Sequence, residues 1–444
     1  MAKRVRSGVF LALLLAVFLG IFAVFGPGVY NDSDQYLKMH IHREPLYPLF
    51  LAALRTVFPN GWLIAMGVFQ NIFAAVSIWL FVEYTSKRFE LGFMGKVVVT
   101  LLCLAPHMLT SYFSALHLFI TNSVMSEALC MPLFLLFFME CCKIFTEREE
   151  RECWKAMVCS LFLAFLVSLA RTQMMVTILI WLVVTGVRIV LWPKKRWRRR
   201  TWQRPRNRDW KVLRLLMVVA VVAVVFILRM FAVRSYNLVF NGRFINNTYG
   251  TVNTLTNILY AADREDGERI RDPEAREFFF RMYDLAEEQQ ANYKYAGSSL
   301  RDKTEHIEAW HDTIKYEMIE DVFYQTYDKT VTSDYITQNL MADKTAGKII
   351  RGILPGCFFR WLGNYFLIAS YGAVRSIAVV HPVINWVAAF IYLSALALVF
   401  FVWRKDEENP AVPVMLISLL AILANVGAVS MTIMCLSRYM IYGF

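Results

Sequence analysis

The chain has 444 residues, 57% of them hydrophobic and 15% aromatic, and a formal net charge of +12. Charge is confined to a few blocks, so the composition is that of a polytopic membrane protein and excludes an ordinary soluble domain. The basic excess does not make the chain a nucleic-acid binder. Much of it lies in PKKRWRRRTWQRPRNRDWK, residues 193–211, wedged between two apolar segments, where short basic loops mark the cytoplasmic side.

The eight cysteines fall almost entirely within or beside apolar segments, and no CxxC spacing occurs. That excludes a disulfide framework and a cysteine-based zinc site. The first apolar run, residues 7–30, carries no charge and is long enough to cross the hydrocarbon core. It is too long for a signal-peptide core and lacks an A-x-A site, so a retained helix is expected. Further spans are expected at 63–82, 97–112, 118–141, 154–170, 174–191, 212–233, 377–403 and 412–435, about nine in all.

Charged connectors at 1–6, 86–88, 143–152, 193–211 and 403–408 all reach the cytoplasm if the N-terminus is cytoplasmic. The loop after residue 30, the 106–117 loop, Arg171 and the C-terminus are then external. Residues 1–233 are expected to form an N-terminal transmembrane module, with a catalytic first external loop at 29–50 and a basic cytoplasmic loop at 193–211. Residues 234–347 read as a helical external domain, because Phe279, Met282, Tyr283 and Leu285 recur at three- and four-residue spacing. Within the last block, 348–444, the stretch 348–372 contains Pro355 and Gly356 and is expected to lie in the interface or to re-enter it before the C-terminal spans.

The stretch NDSDQYLKMHIHREPLYPLF, residues 31–50, places Asp32 and Asp34 where the chain leaves the membrane. A merely anchoring helix needs no carboxylates there. Asp32-Ser33-Asp34 is literally a DxD, but a metal-diphosphate DxD belongs to an α/β domain on the face where nucleotide sugars occur. The plainer alternative is helix capping, with Asp34 capping a short helix that begins near Gln35. Tyr36 follows Asp32 by four residues, and Arg43-Glu44-Pro45-Leu46-Tyr47-Pro48 follows that. Downstream stand Gln70, Glu127 within TNSVMSEALCMPLFLL, and Arg171 within SLARTQMMV.

In order and spacing these segments resemble the GT-C superfamily of membrane glycosyltransferases, especially bacterial relatives of protein O-mannosyltransferases and aminoarabinose transferases. The resemblance covers about the first 190 residues. It implies an all-α, GT-C-like membrane fold and a donor sugar on a polyprenyl phosphate or diphosphate. The acceptor would be a lipid, glycan or protein on the external face, in the setting of cell-envelope polysaccharide assembly.

The chemistry accounts for the residue types. The leaving phosphate is already acidic, so one carboxylate to take the acceptor's proton and cations to neutralise the phosphate suffice. Asp32 is the expected base, with Asp34 and Glu127 orienting the acceptor or acting on Asp32 by like charge. Arg43, Arg171, Arg360 and Arg438 are the expected phosphate-binding cations, and Tyr36 and Tyr47 the positioning residues. For Arg171 a snorkelling anchor competes with a ligand role. No metal ligands are assigned, though His40 and His42 beside Asp32 leave a divalent ion open. His306 and His311 are five apart, not four, and diverge around a helix instead of forming an H-E-x-x-H pair.

The rival classes are a transporter or lipid flippase and a surface-polysaccharide polymerase. No inverted repeat or matched pair of broken helices supports the first. The position of Asp32 and the Arg43–Pro48 segment favour the transferase over the second. Single cysteines at Ser33, Ser298 and Thr201 test the orientation. An impermeant thiol reagent should label the first two in intact cells and leave Thr201→Cys untouched, and the reverse pattern contradicts the arrangement.

Overall fold

In the computed structural model no strand occurs among the described residues, which are 2–30, 32–113, 119–147, 149–191, 208–375, 382–406 and 409–431. An isolated parallel bridge between Gly28 and Ser123 pairs extended backbone. Two compact units result. The first comprises Met1–Ile245 and Trp386–Ala424, and the second takes Asn246–Asn385 together with residues 425–431. The block 348–444 is therefore shared between the two.

The first unit begins with α1 (Ala2–Phe25), the short α2 (Ser33–Leu37) and α3 (Leu46–Val57). The long helices α4 (Trp62–Arg88), α5 (Phe93–Phe113), α6 (Glu127–Thr146), α7 (Glu150–Ala170), α8 (Val176–Leu191) and α9 (Arg208–Asn241) follow. In the second unit lie α10 (Gly250–Tyr260), α11 (Pro273–Glu288), α12 (Leu300–Thr313), α13 (Asp321–Thr330) and α14 (Tyr335–Arg375). Helices α15 (Pro382–Lys405) and α16 (Ala411–Ser430) complete the order.

Eight helices among the described residues are long and apolar enough to cross a membrane: α1, α4, α6 to α9, α15 and α16. Helix α5 corresponds to the remaining expected span, at 97–112, with a described apolar stretch of Phe93–Met108. The protein is thus an all-α, multi-pass membrane protein. Its outward faces agree, since α15 exposes Trp386, Phe390, Leu393 and Phe401. Such surface is tolerated by lipid and not by water. Inside, Leu14 and Phe18 of α1 pack on Ala74, Ala75, Ile78 and Val82 of α4. The two alanines let the backbones approach, the usual means of helix association in lipid.

The second unit has an aqueous-type core of Phe278, Phe279, Met282, Tyr283, Phe323 and Tyr327, on the spacing the sequence displays. Its helix starts are specified locally. Asp272 accepts the Ala275 N–H at 3.0 Å ahead of Pro273, and Ser299 and Asp302 form a reciprocal capping box. Helix α10 is capped from a distance: Asp343 of α14 accepts the N–H groups of Tyr249, Thr251 and Val252.

Two expectations are corrected, and one segment is shown to be continuous helix. The span expected at 118–141 becomes α-helical only at Glu127, because a 3-10 turn at Ile120–Asn122 and the bridge from Gly28 to the extended Ser123 come first. Asp34 does not cap α2; it lies inside the first turn and pairs with Lys38 at 2.7 Å on the surface. Residues 348–372, expected in the interface, are the middle of the continuous α14, with Pro355 inside it. Gly352 and Gly356 fall one turn apart on one face, where a Cβ would strike Ile270 and Asp266 respectively. The turn at Arg264–Arg269 rests in that notch, so the glycines serve close packing instead of a break.

Between α12 and α13 the chain makes a π-helical segment, Ile314–Glu320. The Glu320 Oε1 is buried without a hydrogen-bond partner among the described residues, and burial, with Asp321 beside it, pushes the carboxyl up to about 8. A folded-state value above the unfolded one stabilises at low pH and is lost as pH rises through about 8. Glu320→Gln should raise the thermal midpoint of the second unit at pH 9 and leave it unchanged at pH 5. An equal effect at both pH values contradicts the assignment.

Candidate active site

The acidic loop after α1 is fastened to the segment that precedes α6. The Gly28 N–H donates to Asn122 O and the Val124 N–H to Gly28 O, each at 2.9 Å. Ser33 Oγ donates to Val124 O at 2.9 Å and accepts the Tyr30 N–H at 2.8 Å, so this serine fixes the turn that carries Asp32. From α4, Gln70 donates to Thr121 O and Ser123 O and accepts the Tyr47 hydroxyl at 2.9 Å. Asn71 donates to Thr121 O and Asn122 Oδ1. Gln70, Asn71, Tyr47 and Ser123 are all buried, so each amide or hydroxyl left without a partner here would cost about 1–3 kcal/mol.

A continuous chain of polar contacts runs over this base. Arg43 Nη2 donates to Asp32 Oδ1 at 2.8 Å, its Nε to Gln35 Oε1 at 2.9 Å and its Nη1 to the Tyr36 hydroxyl at 3.3 Å. The guanidinium carbon lies 4.6 Å from the Tyr36 ring centroid, a cation–π arrangement. The Tyr36 hydroxyl and Ser126 Oγ share a hydrogen bond at 3.0 Å, and Ser126 Oγ donates to Glu127 Oε2 at 3.3 Å. Glu127 is ion-paired with Arg171, which caps the end of α7. Burial pushes the Tyr36 and Tyr47 phenols up from the ordinary value, so both remain protonated hydrogen-bonding groups at neutral pH.

The ends of this chain differ in exposure. Glu127 is 3% exposed and Asp32 35%, so Asp32 alone of the two is open to a substrate. A second arm ties down the same loop. The buried Glu44 accepts from Thr172 Oγ1 at 2.7 Å and pairs with Arg229 of α9, which also reaches Ser168 O.

Of the residues singled out in the sequence, Asp32, Tyr36, Arg43, Tyr47, Glu127 and Arg171 are therefore gathered at one end of the first unit. Asp34 is not part of the cluster. Arg360 belongs to the second unit, where it pairs with Asp263 and Asp266, each at 2.9 Å, and donates to Ala261 O. Its guanidinium is thus engaged on the notch face of α14. Arg438 lies outside the described residues. Arg171 is neither a free anchor nor a free ligand but the counter-ion of a buried carboxylate.

His40 and His42 lie ring to ring, with centroids 4.5 Å apart. Among the described residues no group of three or more His, Cys, Asp or Glu side chains gathers to hold a metal. His306 and His311 diverge as their spacing requires: His306 meets the Tyr260 hydroxyl and His311 meets Asp312. Arg229 was not anticipated, although the signal was present. It is the only charge in the run 215–233, and such a charge demands a partner.

No protein-family model matches the chain, and no curated protein does so. Among solved structures, the crystal structure of ArnT from Cupriavidus metallidurans in the apo state is similar over 97% of this chain and 78% of that one, at 14% identity and a TM-score of 0.34.

The Glu127–Arg171 pair yields a prediction. Arg171→Met strands a buried carboxylate, and Glu127→Gln strands a guanidinium; each should destabilise the first unit by about 3–5 kcal/mol. The double variant should cost less than the sum of the two. A double-mutant cycle on unfolding in mixed micelles reads this coupling, and strict additivity would show that the two charges do not interact.

Proposed function

We propose that this chain is an integral membrane glycosyltransferase of the GT-C type. It moves a sugar from a polyprenyl-phosphate-linked donor to an acceptor at the membrane face where Asp32 lies. The observation that carries the reading is the polar chain from Asp32 through Arg43, Tyr36, Ser126 and Glu127 to Arg171. It joins the segments whose order resembles that family, and it leaves a partly exposed carboxylate beside a cation.

In the proposed reaction the acceptor hydroxyl attacks the anomeric carbon while Asp32 takes its proton. The bond from that carbon to the phosphate oxygen breaks, and the electron pair leaves with the lipid phosphate. In-line attack with a single base inverts the anomeric centre, which separates this scheme from a two-carboxylate glycosidase. Arg43 is the cation for the departing phosphate. A guanidinium has five N–H donors, and the contacts to Asp32, Gln35 and Tyr36 use three of them. Tyr36, held by Ser126, keeps Arg43 in place through its ring and hydroxyl, and Glu127 and Arg171 hold the far end.

Asp32→Asn keeps size and hydrogen bonding but removes basicity. Turnover of the polyprenyl-linked sugar should fall by about 10²–10⁴ with donor binding retained. Asp34→Asn, on the outer surface and paired with Lys38, should stay within a few-fold of wild type. A dead Asp34→Asn with an active Asp32→Asn would reverse the assignment, and two active variants would remove the mechanism.

A further inference from the structure

A large cavity in the first unit is separate from the polar cluster. Its volume is about 600 Å³, and α4, α5, α6 and α16 line it, with Ala74, Leu102, Phe134, Met131, Met415 and Ile422 among the walls. Along α4 the lining runs from Ala74 to Phe89, which at 1.5 Å per residue is about 22 Å. That is roughly three quarters of a hydrocarbon core of about 30 Å. It stops one turn short of Gln70, so the cavity and the polar cluster occupy opposite halves of α4.

Two prolines account for the space. Pro106 inside α5 and Pro132 inside α6 both line it. Each removes a helical N–H and wedges the preceding turn, which holds neighbouring helices apart.

One side chain is out of keeping with these walls. His107 lines the cavity, is only 6% exposed, and its Nδ1 is enclosed without a hydrogen-bond partner among the described residues, so a turn of the ring is needed for that nitrogen to meet a head in the cavity. Its ring sits edge-on to Phe18, with centroids 5.1 Å apart, a contact that leaves the nitrogen unsatisfied. Thr85 and Ser418, the hydroxyls on the walls, are satisfied within their own helices by Phe81 O and Val414 O. An apolar slot with one orphan polar group at one end selects an apolar body with one hydrogen-bonding head.

We infer that this cavity is a binding site for an unbranched single-chain lipid whose uncharged head, a hydroxyl or protonated carboxyl, hydrogen-bonds His107 while its chain lies along α4 toward Phe89. The volume holds one chain of about twenty carbons at roughly the 30 Å³ of a water-sized group. The site is independent of the proposed transfer reaction, because none of its lining residues belongs to the Asp32 cluster.

The test uses the full-length protein in phospholipid nanodiscs with a diazirine-bearing hexadecanol and the matching hexadecane. Photolysis should place hexadecanol adducts on 131–138 and 411–422, with the alkane labelling about tenfold less. That ratio corresponds to one hydrogen bond of about 1.4 kcal/mol. His107→Leu should bring hexadecanol down to the alkane level without altering the thermal midpoint or gel-filtration profile. Unlabelled hexadecanol should compete at acidic and neutral pH alike and palmitic acid only at acidic pH, where its carboxyl is protonated; equal competition by palmitic acid at both pH values would overturn the uncharged head.

Equal labelling of wild-type protein by alcohol and alkane would overturn the proposal without relying on any variant. So would displacement by a long polyprenol alone, or adducts confined to the outer belt of α15. Loss of Asp32-dependent turnover has no bearing on these readouts, which keeps the two assignments separable.

Discussion

A buried carboxylate at the end of an apolar bundle must have a counter-charge, and that constraint organises the first unit. Glu127 opens α6 and Glu44 precedes α3, and both are almost fully withdrawn from solvent. Removing one member of such a pair costs more than the pair contributes, because the remaining charge stays buried. Arg171 must therefore stand at the end of α7 against Glu127, and Arg229 must face inward from α9 toward Glu44. These two pairs draw the loop after α1, the segment before α6, the α7–α8 turn and a spanning helix to one place. The hydrogen bonds from Gln70 and Asn71 then specify the register within it.

The same constraint bears on the proposed reaction. Charges that are already matched and held would not have to reorganise as the proposed phosphate leaving group departs, which is the condition under which electrostatic stabilisation is most effective. Asp32 differs from Glu44 and Glu127 in being only partly covered, so its oxygens are accessible where theirs are not. The gradient from a buried, structural end at Arg171 to an open end at Asp32 gives one cluster two tasks. Arg43 links them, since it touches Asp32 and Tyr36 at once.

Much of this was legible in the sequence, and the parts that were not have physical causes. The nine expected spans correspond to helices because runs of apolar residues in lipid have few alternatives to a helix. Asp32, Tyr36, Arg43, Glu127 and Arg171 stood out as polar residues where apolar runs end, and they meet. Their pairing was hidden, because Glu127 and Arg171 are forty-four residues apart and either fits a surface anchor. The start of α6 was placed too early because the polar Thr121, Asn122 and Ser123 were read through as part of a span, while a 3-10 turn at Ile120–Asn122 and the tertiary bridge from Gly28 to Ser123 precede the helix. Pro355-Gly356 marked 348–372 as a poor spanning helix, and it is nonetheless continuous helix, with Gly352 and Gly356 admitting a packed turn. The partners of Arg360 were not legible, since Asp263 and Asp266 are nearly a hundred residues away in sequence.

The central claim, that the Asp32 cluster turns over a lipid-linked sugar, is tested most directly by mass spectrometry of the polyprenyl-linked sugars in membranes. Cells lacking the chain, cells with wild type restored and cells carrying Asp32→Asn would be compared. The account predicts that one polyprenyl-linked sugar accumulates without the protein, is consumed when wild type is restored, and accumulates again with Asp32→Asn at equal protein level. An unchanged pool of lipid-linked sugars across all three would contradict it.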